Sequence, residues 1–309
     1  MIQSKIFCRL GLDYQEFLSK FIHPRKLREN VGVKIGKCFL EMDMIEDEEL
    51  QFKMDMIEDK GHNRKMDMIE VKDIRRSFGP VVAVDGISFD AEKGEVLGLL
   101  GPNGAGKTTA MRILACFLRP DSGTATICGY DILRNPIEVR KSLGYLAENV
   151  PAYNEMTVGG FLNFICDVRE IRGGRRKETL DRIVPMCSIE SVYHQTIETL
   201  SKGYKRRVGL AQALMHDPDV LILDEPTDGL DPNQKHEVRK LIQKMAKNKC
   251  IIVSTHILEE VEAVCSRTII IAKGRILVDS TPDQLKEKYK CSLDSVFRKI
   301  TKSESAALA

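Results

Sequence analysis

The stretch "GEVLGLLGPNGAGKTTAMRILACFL", Gly94 to Leu118, changes character twice. "EVLGLL" is a short apolar run of strand length, "GPNGAGKT" (Gly101 to Thr108) is a glycine-rich turn, and "KTTAMRILACFL" has the apolar spacing of a helix. A GxxxxGKT loop leaving a buried strand and opening a helix is the arrangement a phosphate cradle needs. Gly101, Gly104 and Gly106 let backbone N–H groups turn inward around an anion, and the helix start adds the positive end of its dipole. Lys107 is placed to reach β- and γ-phosphates, and the Thr108 hydroxyl to hold Mg²⁺; Asn103 and Thr109 complete the candidate binding set. An ordinary glycine-rich turn is the competing reading, which Lys-Thr at this offset disfavours.

Downstream, further strands read at "GTATICG", "SLGYLA", "DVLILD", "CIIVST" and "RTIIIA" with helical stretches between them, an α/β pattern. Upstream, "MIEVKDIRRSFGPVVAVDGISFDAEKGEVLGLL" alternates strands and turn residues. Between Met156 and Leu200 the strand signals stop, and "GGFLNFICDVREIR" and "RRKETLDRIVPMC" read as amphipathic helices inserted into the α/β core.

The run "VLILDEP" ends a buried strand on Asp224 and Glu225. Two acids there are costly unless a cation or a catalytic task occupies them. Asp224 is placed to bind Mg²⁺ through water and Glu225 to polarise an attacking water. A solvated pair of strand-end acids is the alternative. Guanine specificity is disfavoured, because the only Asn-Lys, Asn248-Lys249, continues into Cys250-Ile251 without the aspartate of an NKxD motif.

Length and composition bound these readings. The 309 residues allow one large core or two modest lobes, and a net charge of +2 gives no electrostatic case for nucleic acid. The nine cysteines form no CxxC pairs, which argues against zinc or a disulfide framework and suits a reducing cytosol. No apolar run approaches the ~20 residues that span a bilayer, and the first thirty residues lack a signal-peptide core, so a membrane role needs another chain. "MDMIEDEELQFK", "MDMIEDKGHNRK" and "MDMIEVKDIRRS" follow one another from Met42, Met54 and Met66. A twelve-residue step advances a helix by ~120° beyond whole turns, so no continuous stripe forms, and the repeat reads as a tandem duplication. Residues 1–65 are therefore expected to be a poorly ordered extension, with a regulatory or membrane-surface arm as the alternative. The folded domain is expected over 66–290, its helical subdomain over about 155–215, and a tail over 291–309.

In order and spacing, these pieces resemble the ATP-binding cassette (ABC) family over residues 66 to 300. The phosphate loop, "YLAE" (Tyr145 to Glu148), "LSKGY" from Leu200, "LILDEP", "DGLDP" (Asp228 to Pro232) and "STH" (Ser254 to His256) come in family order. The resemblance implies an α/β P-loop NTPase with a RecA-like core, an antiparallel β subdomain and a helical insertion. It implies that Phe78 stacks on adenine, although an aromatic there also suits a core, and that His256 contacts the γ-phosphate. It further implies that Asp231 reports to the opposite subunit's site, and that Ser201 and Gly203 of one cassette complete the ATP site of another. Lys202 and Tyr204 depart from the usual LSGGQ; Lys202 reads as a solvated lysine and Tyr204 as a packing residue. Glu148 stands where most cassettes have Gln, and its carboxylate still suits Mg²⁺ or its water. LSKGY with YLxE resembles the branch of gliding-motility and sodium-export ATPases; Ala147 stands where that branch usually has Pro.

The resemblance thus implies an ATP- and Mg²⁺-using subunit of an ABC-2 type exporter. It would be a homodimer or heterodimer of cassettes on the cytoplasmic face of the membrane, joined to separate permease subunits and not to nucleic acid. The segment from Glu148 to Met156 and the helical insertion would carry force to those subunits. A soluble cassette acting on ribosomes or DNA fits less well, lacking a second cassette or long coiled coils; a regulatory cassette without turnover is the third reading. Deleting residues 1–65 is expected to preserve folding and ATP binding; a loss above ~2 kcal/mol in urea unfolding would mean that this arm packs on the core.

Overall fold

The computed structural model describes residues 67–150 and 152–307, with side chains through Thr301. The chain divides into two units between Arg64 and Lys65, and the described residues lie in the second. The expectation for residues 1–65 falls outside them.

Two sheets build this unit. The first is antiparallel and runs β2-β1-β4-β5, from β1 (Asp67–Phe78), β2 (Val81–Glu92), β4 (Ser122–Ile127) and β5 (Tyr130–Asp131). Gly79 turns β1 into β2 with φ +57, a conformation glycine adopts without a Cβ penalty. The second has the order β10-β9-β3-β8-β7-β6. Its strands are β3 (Val96–Leu100), β6 (Leu143–Leu146), β7 (Val220–Asp224), β8 (Cys250–Thr255), β9 (Arg267–Ala272) and β10 (Arg275–Ser280). All its pairings are parallel except β9 with β10.

Every residue of β3, β7 and β8 is buried, because both faces of the large sheet are covered. The two-residue period assigns the faces. Leu97, Leu99, Val220, Ile222, Ile252, Ile269 and Ile271 join a core with the antiparallel sheet and α1 (Lys107–Leu114), to which α1 gives Ala110, Met111, Ile113 and Leu114. Val96, Leu100, Leu221, Leu223, Ile251, Val253 and Ile270 face a second, helical core. After α2 (Pro136–Ser142), helices α3 (Val158–Val168), α4 (Gly173–Met186) and α5 (Lys202–Leu214) fill the stretch between β6 and β7. Thr157 caps α3 by accepting from the Gly160 N–H at 3.1 Å. Then come α6 (Pro232–Ala246), α7 (Leu258–Val264), α8 (Pro282–Tyr289) and α9 (Leu293–Ala307). The α/β architecture with an antiparallel subdomain and inserted helices agrees with the sequence reading. Among the described residues, no helix is long and apolar enough to cross a membrane.

The chain end differs from expectation. The start of the expected tail is packed, since α9 buries Leu293 and Val296 in the helical core and lays Phe297 and Ile300 against it. Their spacing of three, four and seven residues is one helix face, too short a stripe to be distinctive in the sequence. The packed domain therefore continues past residue 290.

His216, just beyond α5, is held neutral by burial. Its Nε2–H donates to the Leu143 carbonyl at 3.0 Å, and its pKa is lowered to about 4, by desolvation first and by Arg169 and Lys249 against the smaller pull of Asp217. An unfolded histidine takes up its proton near 6.5, so folding stability should fall as pH drops from 6.5 toward 4, by up to ~1.4 kcal/mol per unit. Urea unfolding at several pH values should show a shallower slope for His216→Gln than for the parent chain.

Candidate active site

Strands β3, β7 and β8 run parallel, so their carboxyl ends emerge along one edge and present Gly101 to Thr108, Asp224-Glu225 and His256 together. The loop after β3 closes tightly. Gly106, with φ +104, precedes α1, and a Cβ there would lie 2.3 Å from the Ala83 carbonyl oxygen; one on Gly101 would lie 2.3 Å from that of Ile271. Only glycine fits this concave backbone. Asn103 and Gly104 are exposed at its crest, and Thr108 and Thr109 are half-buried in the first turn of α1. Lys107 is buried and donates to the Gly101 and Pro102 carbonyls at 2.7 and 3.2 Å. Desolvation pulls its pKa below the ordinary value, opposed by the negative charges of Glu225, Asp224 and Glu148.

Asp224 is fully buried. Its Oδ1 accepts from the Ser254 hydroxyl, while Oδ2 has no hydrogen-bond partner. A buried carboxylate oxygen left free is costly, and a hard cation suits it. Among the described residues no group of three or more His, Cys, Asp or Glu side chains forms a metal cage. The partnerless Asp224 oxygen suits a hard cation such as Mg²⁺, which would keep waters on its remaining positions.

Glu225 sits at φ +51, a left-handed conformation that costs a non-glycine residue roughly 1–2 kcal/mol. Its N–H is held by Ser254, through the hydroxyl at 3.0 Å and the carbonyl at 3.2 Å. The turn aims its carboxylate at His256, whose Nδ1 lies 3.0 Å from Oε1. Burial raises the Glu225 pKa above its ordinary value, against the lowering effect of His256 and Lys107. A carboxylate so placed is a stronger base than a solvated one.

Ser201, Gly203 and Asp231 gather instead at the adjoining starts of α5 and α6. The Ser201 hydroxyl accepts from the Tyr204 N–H at 3.3 Å, and Asp231 Oδ1 from the Gln234 N–H at 2.9 Å, so both are N-caps. A Cβ on Gly203 would meet Gln234 Oε1 at 2.7 Å. Lys202 is exposed, in line with a solvated lysine, and its ammonium pairs with Asp228 at 2.6 Å while its stem lies over Gly229. Tyr204 is half-buried, its hydroxyl 3.2 Å from that of Ser191. Phe78 stands apart at the end of β1, 47% exposed, with the Arg76 guanidinium 4.9 Å above its ring. Its exposure removes the alternative reading as a core aromatic. The Glu148 side chain is exposed at the end of the β6 segment.

Sequence reasoning missed the residues that hold the site. In the sequence Ser254 stands out only as the first letter of "STH". Glu260 on α7 is 2% exposed and accepts from the Thr227 hydroxyl and, at 3.2 Å, from that of Thr255, with Arg239 at 3.7 Å. It ties the segment after Glu225 to the one before His256. Arg206 and Arg207, of the basic run "KRR", are buried, and Arg207 pairs with Glu237 at 2.8 Å. The available signal was a basic run on a helix otherwise apolar on that side.

A family model described as "ABC transporter" matches residues 84–228. The probable multidrug ABC transporter ATP-binding protein YbhF of Escherichia coli (strain K12) is 37% identical over 215 residues, 69% of this chain. The match spans only 37% of that relative's length. The Nod factor export ATP-binding protein I of Paraburkholderia xenovorans (strain LB400) is 36% identical over 226 residues, covering 72% of this chain and 74% of the relative. A solved structure titled "Structure of ATP binding subunit of ABC transporter" superposes with a TM-score of 0.70 at 27% identity, over 76% of this chain and 99% of that one.

Gly106→Ala is expected to destabilise the fold by roughly 1–3 kcal/mol through its positive φ and the Ala83 contact, which urea unfolding would measure. The same variant should bind inorganic triphosphate at least tenfold more weakly than the parent, since the loop must open to relieve the clash.

Proposed function

The chain belongs to the ABC transporter family of ATP-binding cassettes, and on that premise we propose that it is the ATP-hydrolysing subunit of an ABC-2 type exporter. The observation that carries this reading is the Glu225–His256 contact, beside a buried Asp224 with a free oxygen and a glycine loop shaped for phosphate.

In this reading the reaction is ATP + H₂O to ADP + phosphate. Backbone N–H groups from Gly101 to Thr109, with Asn103, Gly104 and Gly106, cradle the phosphates. Lys107 exchanges its bonds to the loop carbonyls for β- and γ-oxygens; because those bonds are charge-assisted already, the exchange replaces one set of acceptors with a more negative one. Thr108, Asp224 and Glu148 hold Mg²⁺ directly or through water. Bound there, Mg²⁺ would draw charge from the phosphate oxygens as the terminal bond breaks. Glu225 takes the proton of the attacking water, and His256 holds the Glu225 carboxylate while facing the γ-phosphate. Phe78 offers its exposed ring to adenine.

Ser201 and Asp231, exposed at the starts of α5 and α6, lie on a surface that faces the nucleotide of a second cassette, with Gly203 buried just behind it in the first turn of α5. The N-terminus of α5 adds its positive dipole end to that contact. The dimer partner is an identical chain or a second cassette, and separate permease subunits on the inner face of the membrane receive the motion through the segment from Glu148 to Met156. The LSKGY and YLAE variants support the ABC-2 assignment, and the relative named for Nod factor export supports the outward direction.

Glu225→Gln keeps the shape and removes the base. Turnover should fall by roughly 10²- to 10⁴-fold while ATP binding persists and the ATP-bound dimer accumulates. Phosphate release and size-exclusion chromatography with Mg-ATP check this; hydrolysis at the parental rate would remove Glu225 as the base and the reading with it.

A further inference from the structure

Arg206 is 4% exposed, on the helix that begins at Ser201. Nη1 donates to the Ala147 and Glu148 carbonyls at 2.7 and 2.5 Å, and Nη2 donates to the Asp224 carbonyl and, at 2.5 Å, to that of Glu225. None of these acceptors is a carboxylate, so the guanidinium is not one half of a hydrogen-bonded ion pair. It binds backbone from two separate segments instead.

Those segments are adjacent for a reason. The parallel ladder between β6 and β7 runs from Leu143↔Val220 to Leu146↔Leu223 and stops there. The next residues on each strand are Ala147-Glu148 and Asp224-Glu225, the four whose carbonyls accept from Arg206. The fork replaces the ladder where the strands part. Its planar geometry presents separate N–H groups to the two sides at once, which an ammonium, donating from a single point, cannot do.

Two of the four residues, Glu148 and Asp224, are the acids assigned above to Mg²⁺, and they come from strands that no longer bond to each other at this point. We propose that Arg206 is a positioning residue for the metal, fixing the separation of the Glu148 and Asp224 backbones so that both carboxylates serve one Mg²⁺. This rests on the functional reading above and deepens it. Since Arg206 belongs to the helix capped by Ser201, the metal geometry is tied to the helix that meets a second cassette.

The test uses the full chain with Arg206→Lys and Arg206→Gln. The readouts are thermal unfolding, ATP affinity in EDTA by displacement of a fluorescent ATP analogue, the Mg²⁺ concentration for half-maximal hydrolysis at fixed ATP, and the electron paramagnetic resonance spectrum of Mn²⁺ bound with ATP. Expected are a folded protein, metal-free ATP affinity within about twofold of the parent, a Mg²⁺ requirement raised at least fivefold, and an altered Mn²⁺ spectrum. Folded variants with the parental Mg²⁺ requirement and Mn²⁺ spectrum would overturn the proposal. So would metal-free affinity that falls in step with activity, or failure of both variants to fold, because each assigns Arg206 to the fold alone. An inactive parent would sink the hydrolytic reading, while the Mn²⁺ spectrum would still decide the role of Arg206.

Discussion

The pairing of Asp224 with Ser254 across two parallel strands is the contact on which the candidate site depends. In a parallel ladder all carboxyl ends lie on one edge, so the loops after β3, β7 and β8 converge without further design. Ser254 then sets the chemistry at that edge. Its hydroxyl donates to Asp224, its hydroxyl and carbonyl both hold the Glu225 N–H, and the left-handed turn at Glu225 follows from that grip. Without it, the strained carboxylate would relax away from His256. Backbone strain at a site persists only where its surroundings over-determine it.

Five charged side chains lie buried around this edge: Lys107, Arg206, Asp224, Glu225 and Glu260. Each is costly to desolvate alone. Lys107 rests on loop carbonyls, Arg206 on strand-end carbonyls and Glu260 on two hydroxyls and Arg239. Asp224 keeps a buried oxygen without a hydrogen-bond partner. The site is therefore rigid where it holds backbone and unsaturated where a cation fits.

The phosphate loop was readable in the sequence because its constraint is local: glycines, a lysine and a threonine at fixed offsets, between an apolar strand and a helix. The main strands were readable for a similar reason, since β3, β7 and β8 are continuous apolar runs. Arg206 was not, because its partners lie 18 or more residues away, nor was Glu260, which joins Thr255 close by to Thr227, 33 residues away; the letters of both are those of ordinary helix surfaces. Strand β10 escaped as well: it is an edge strand, mostly half-exposed, with a composition that any surface segment could share. Lys202 shows the same limit from the other side. Its exposure was inferable from the polar turn around it, but its salt bridge depends on how the chain returns at Asp228.

The position of β3 has a consequence for the order in which the molecule can form. It pairs with β8 on one edge and β9 on the other, segments that begin at Cys250 and Arg267. During synthesis, the strand bearing the phosphate loop therefore leaves the ribosome with both edges open and waits for about 150 residues before either can close, roughly ten seconds or more at ordinary elongation rates. An apolar strand exposed for that long is a template for pairing with another chain. The antiparallel sheet, whose strands are nearer neighbours in sequence, can close first and cover one face of β3 while its edges wait. Newly made chains of this protein are thus most open to aggregation, and most in need of a chaperone, in the interval before residue 272 emerges.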